Sequence, residues 1–244
     1  MVENTNVKAF SAGDLFSHKD LVGNLMLSAA LKKVSAGKYS FFLAQNKVQQ
    51  KVAHKAIKDQ DLMGLVEAEV AVFAFDGTEL DSGTVVEFMF AKFLDIPAVC
   101  YRTDFRGGSG EEATESGDKV NRWNLMVSYY PRTKVLYMNG MVEYQKVWVA
   151  QNGEEGNPTK ICEAYCEHIA TEIMKGIDEV RASKPLVSEA ERTLLKAQAI
   201  KLMDMECPED FLARALGKPD ASEDDVADLK AQLVNLKAEN EKLK

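Results

Sequence analysis

Apolar residues fall along the first 150 positions in short runs separated by longer mixed segments. Val7 to Ala12 (VKAFSA), Tyr39 to Ala44 (YSFFLA), Val70 to Phe75 (VAVFAF) and Pro97 to Arg102 (PAVCYR) are β-branched or aromatic and of strand length. A fifth run of this kind lies at Lys134 to Met138. VAVFAF has no polar alternation, which marks a strand buried on both faces, as in a parallel sheet. The intervening segments have helical length: Asp20 to Ser35, Gln50 to Asp61, Thr84 to Leu94 and Val142 to Ala150. In the first of these, Leu21, Leu25 and Ala29 can share a buried side. Strands alternating with helices at this spacing predict βαβ units and an α/β fold with a parallel sheet.

Residues 103–121 are rich in Gly, Ser and acids and read as a mobile loop, and Gln151 to Pro158 reads as a polar connector. From Lys160 onward the pattern is helical throughout. Ser188 with Glu191 forms a capping box, and Ser222 opens a last helix in which Val226, Leu229, Leu233, Leu236, Asn240 and Leu243 make a heptad-like seam. That seam fits a short coiled coil about as well as a helix packed on its own domain. The expected division is a catalytic domain over 1–158 and a helical extension over 159–244.

The formal net charge of −8 argues against nucleic acid or an anionic membrane surface as the main partner and suits a neutral or cationic small molecule. Cys100, Cys162, Cys166 and Cys207 show no CxxC pair, and the N-terminal MVENTNVKAF lacks a signal-peptide pattern, so a cytoplasmic location is expected. No GK[ST] follows either glycine-containing turn and no GxGxxG joins the first strand to its helix, which leaves ATP and dinucleotides without support. Cys162, Cys166 and His168 on one helix are explained better by packing than by a metal; His18 and His54 are isolated.

The chemistry concentrates in AFDGTELDSGTVVEFMFAKF, residues 74–93, where acids occupy a strand-to-helix turn at the carboxyl end of the sheet. Glu79, like Glu111, Glu112 and Glu115, reads as a solvated loop charge. Glu87 does not, because Val85, Val86, Phe88, Met89 and Phe90 surround it; a carboxylate so flanked is either buried with partners or functional. Asp81 lies six residues earlier and can fold back toward it, and Asp61 sits at the expected C-terminal end of the second helix.

These residues, with FSAGDLFS (10–17), Asn24, FLAQN (42–46), IPAVCYRTDFR (96–106) and NLM (124–126), resemble the nucleoside 2-deoxyribosyltransferase family over roughly residues 7–140. The resemblance implies a flavodoxin-like doubly wound sheet of about five strands. It also implies retaining transfer of 2-deoxyribose between nucleobases through a covalent glycosyl intermediate, without metal or cofactor, as part of nucleotide salvage. On it, Glu87 matches the nucleophile, while Asp61 and Asp81 match acids that contact the base and manage its proton. Gly13, Phe16, Gln45, Asp76 and Gly83 match substrate-binding positions. Asn124 and Met126 match a sugar-contacting segment supplied by a neighbouring subunit, so a homo-oligomer with shared active sites is implied, and the amide of Asn124 favours an unphosphorylated 5′-OH. Asp14 stands where a Pro is usual, Met89 and Phe90 replace a Gly-Tyr pair, and the C-terminal helices have no counterpart in the short enzymes of the family. A nucleoside hydrolase using the same site, and a nucleoside-binding assembly protein working through its tail, are the alternative readings.

Overall fold

The computed structural model describes residues 6–47, 54–105, 124–203 and 231. Five strands, β1 (Val7–Ala12), β2 (Tyr39–Leu43), β3 (Val70–Ala74), β4 (Ala98–Arg102) and β5 (Thr133–Tyr137), form one sheet in the order β2-β1-β3-β4-β5. Every pairing is parallel, from Val7 opposite Tyr39 to Arg102 opposite Tyr137. This is the flavodoxin-like doubly wound order. The chain leaves β1 in one direction and β3 in the other, which opens a crevice at their carboxyl ends.

Helices α1 (His18–Val34), α2 (His54–Val66), α3 (Ser82–Phe93), α4 (Gly140–Ala150) and α5 (Pro158–Ala182) complete the first compact unit, which runs to Lys184. On one face of the sheet Val70, Val72, Val99 and Tyr101 pack with Ile169, Ile173 and Ile177 of α5 and with Ala30 and Leu31 of α1. The opposite face is aromatic: Phe73 meets Phe88 of α3 edge-on at 5.5 Å, and Phe10 stacks on Phe42 at 5.5 Å. The second unit, Pro185–Lys244, contains α6 (Glu189–Leu202), opened by the Ser188–Glu191 capping box. No helix of the described residues is long and apolar enough to cross a membrane.

Three expectations change. Leu21, Leu25 and Ala29 lie on the exposed side of α1, and Leu27, Ala30 and Leu31 turn inward instead. Apolar residues occur all round this helix, so periodicity could not choose the face; packing on α5 does. The second helix extends past Asp61 to Val66 because Leu62, Leu65 and Val66 are buried, which puts Asp61 in mid-helix. The boundary drawn at 158/159 falls just before α5, whose buried stripe covers the sheet; the compact unit therefore ends at 184 rather than 158. The 103–121 loop from position 106, the start of the second helix before His54, Cys207 and the Val226 to Leu243 seam lie outside the described residues.

Candidate active site

A cavity of about 560 Å³ opens at the carboxyl ends of β1 and β2. Asp61, Asp81 and Glu87 all line it, as do Gly13, Phe16, Gln45 and Gly83. Each arrives there for a local reason. Asp81 is the N-cap of α3: its Oδ2 accepts from Thr84 N at 2.7 Å and from Thr84 Oγ1 at 2.8 Å, which anchors the turn. Glu87 lies three residues after Thr84 and four before Ala91, both buried, and so shares their inward face. Asp61 precedes buried Leu62 on α2, and among the described residues its buried Oδ1 has no hydrogen-bond partner.

Three carboxyls line one cavity, and Glu87 feels the charges of the other two. Burial, and then the charges of Asp61 and Asp81, push Glu87 up from its ordinary 4.5 to about 8. Burial also raises Asp61. With its pKa pushed up to about 8, Glu87 holds its proton near neutrality, where an exposed carboxyl would have lost it.

Gly13 allows the close approach of the first loop to the third strand, since a Cβ there would sit 2.8 Å from Ala74 Cβ. A Cβ on Gly83 would come within 3.1 Å of Asp81 Oδ2. Phe16 is 81% exposed, an apolar ring left at the rim.

The remaining expected positions lie outside this cavity. Asp76 lines a separate one of about 240 Å³ with Asp14 and Tyr101. Its carboxylate accepts from Thr103 N, from Thr103 Oγ1 at 2.7 Å and from Asp104 N at 2.8 Å, so it ties the turn after β3 to the end of β4. Asn124 lines a third cavity with Ser82 and Arg102, and Met126 is 68% exposed. His168 Nε2 meets Glu143 Oε2 at 2.7 Å, a pairing between α5 and α4. Asn24, quoted above with no role, lines both the first and the second cavities. An amide among the apolar residues of α1 was the available signal.

No curated protein matches the chain. Among solved structures it is similar to a conserved protein from Enterococcus faecalis V583, with 21% identity over 56% of this chain and 94% of that one and a TM-score of 0.46. The family model described as nucleoside 2-deoxyribosyltransferase matches residues 10–127, a span that holds all three cavity acids. Over residues 10–127 the chain is thus similar to the nucleoside 2-deoxyribosyltransferase family.

Proposed function

We propose that the protein transfers a 2-deoxyribosyl group from one nucleobase to another with retention, through an ester on Glu87. The observation that carries this reading is the meeting of Asp61, Asp81 and Glu87 in one cavity, with Glu87 on the inward face of a helix. In the first half-reaction the C1′–N bond breaks, its electrons go to the base, and a Glu87 oxygen bonds to C1′. The leaving base takes a proton from Asp61, whose pKa burial pushes up. Asp81, held by Thr84 through Oδ2, presents Oδ1 to the base. The acceptor base then attacks C1′, the ester breaks, and the acceptor's proton returns to Asp61. The reactive state has Glu87 ionised and Asp61 protonated.

The active form is a homo-oligomer in which Asn124 and Met126 complete a neighbour's sugar site. Their position outside the Glu87 cavity of their own chain, with Met126 exposed, supports this arrangement.

The test is chromatography of 2′-deoxyadenosine with and without added cytosine, alongside mass spectrometry of quenched enzyme. Formation of 2′-deoxycytidine, and a deoxyribosyl adduct on the peptide containing Glu87, are expected. Glu87→Ala should lose turnover by several orders of magnitude. Release of free deoxyribose alone, whatever the acceptor, would move the protein to the hydrolase reading; an adduct on another acid would remove Glu87 from its role.

A further inference from the structure

Two side-chain amides and two backbone carbonyls form an unbroken chain along one wall of the candidate active site. Asn24 Nδ2 donates to Asp14 O at 2.9 Å and to Gln45 Oε1 at 3.1 Å, and Gln45 Nε2 donates to Leu21 O at 2.8 Å. A backbone carbonyl only accepts, so each end of the chain demands nitrogen. Turning Asn24 over would set its oxygen against both Asp14 O and Gln45 Oε1, and turning Gln45 over would set oxygen against Leu21 O and nitrogen against Asn24 Nδ2. The sense of both amides is therefore fixed by main-chain atoms of the β1–α1 segment.

Gln45 lines the cavity, and the chain uses half of its capacity. One N–H of Nε2 and one lone pair of Oε1 remain. That is the pattern with which an amide binds two adjacent groups on a heterocycle, a donor and an acceptor, as glutamine does with adenine. A freely rotating amide would take such a pair in either order. A locked one takes a single order.

We propose that Asn24 is a specificity-positioning residue: acting with Leu21 O, it completes the lock on the Gln45 amide and so makes the site distinguish 6-amino from 6-oxo purines. In a 6-amino purine the exocyclic group donates and the ring nitrogen accepts; in a 6-oxo purine these are reversed. With the purine seated by its sugar-bearing nitrogen toward Glu87, only one order meets the locked amide, and the other leaves polar groups unpaired in the pocket. Asn24 acts through Gln45 and not on the reacting bond. The proposal rests on the reading of this cavity as a nucleobase site.

The test is calorimetric binding of adenine and hypoxanthine to the full chain and to Asn24→Ala, Asn24→Asp and Gln45→Ala, a readout that does not require turnover. The wild type should bind one base roughly 10- to 100-fold more tightly than the other, the range for one bidentate contact. Asn24→Ala should bring the two affinities together chiefly by improving the disfavoured base. Asn24→Asp, which cannot donate to Gln45, should collapse or invert the ratio. Gln45→Ala should weaken the favoured base most. Equal affinities in the wild type, an unchanged ratio in both Asn24 variants, or an equal loss for both bases would overturn the proposal. Base discrimination without cleavage of any nucleoside would instead overturn the proposed reaction and leave the amide lock standing.

Discussion

Replacing Glu87 by Gln keeps the shape of the side chain and removes its charge, which turns the crowding of the three acids into a stability measurement. Glu87 rises from its ordinary 4.5 to about 8 in the folded protein, so the folded state holds this proton more tightly than the unfolded chain does. Its contribution is fully present below 4.5, falls as pH climbs toward about 8, and is gone above it. A shift of that size corresponds to at most about 5 kcal/mol. Rearrangement and water entry into the open cavity reduce this, so about 2–4 kcal/mol is the expected effect. Glu87→Gln should match the wild type near pH 5 and exceed it by that amount at pH 9, a rise of roughly 5–15 °C in melting temperature. Urea unfolding followed by circular dichroism at the two pH values measures the difference. An equal wild-type–variant gap at pH 5 and pH 9 would refute the argument, because it would mean that the Glu87 carboxyl is not desolvated by the fold.

Gly13→Ala should destabilise the protein by about 1–3 kcal/mol by driving a methyl against Ala74, and adding Ala74→Gly should recover part of the loss in the same urea titration. Asp76→Ala removes the acceptor for Thr103 N, Thr103 Oγ1 and Asp104 N and should cost about 2–4 kcal/mol; Asp76→Asn, able to accept some of these bonds, should cost less. The rate of base exchange should follow a bell-shaped pH profile, because Glu87 must be ionised while Asp61 is protonated; a flat profile from pH 5 to 9 would contradict that assignment. Mixing Glu87→Ala with Asn124→Ala subunits should restore activity through hybrid sites, and no recovery despite demonstrated subunit exchange would refute the shared site.

The central strands β3 and β4 were legible because they are buried almost throughout, and continuous apolar runs such as Val70 to Phe75 are the direct trace of burial on both faces. Observed strand limits fall within a residue of those read from the sequence. Helix faces were less legible, and α1 shows why: a helix apolar on several sides presents more than one possible stripe, and the choice belongs to α5, which lies over a hundred residues away in sequence. The same distance hid the place of α5 itself. Its isoleucines at 161, 169, 173 and 177 announce a buried stripe, but not what it covers.

At the site, the apolar neighbours of Glu87, the nearness of Asp81 and, for Asp61, the family resemblance pointed to acids that line one cavity, and left their division of labour to geometry. Asp81 and Glu87 look alike in the chain, two carboxylates six residues apart, yet one is the N-cap, committed through Oδ2 to Thr84, and the other lies on the helix's inward face with its charge desolvated. An N-cap acid is fixed where it is needed for the helix whether or not a substrate is bound, so Asp81 can orient a base without being the best proton carrier. Asp61 is better suited to that task because burial raises it and its Oδ1 is without a protein partner among the described residues. The two aspartates should therefore separate experimentally. Asp61→Asn should lose activity most with poorly departing bases and regain it with good leaving groups, whereas Asp81→Asn, which still caps α3, should lose activity to a similar degree with both. If the leaving group rescues the two variants equally, the proton has no preferred residence on Asp61, and the two acids act as one coupled pair.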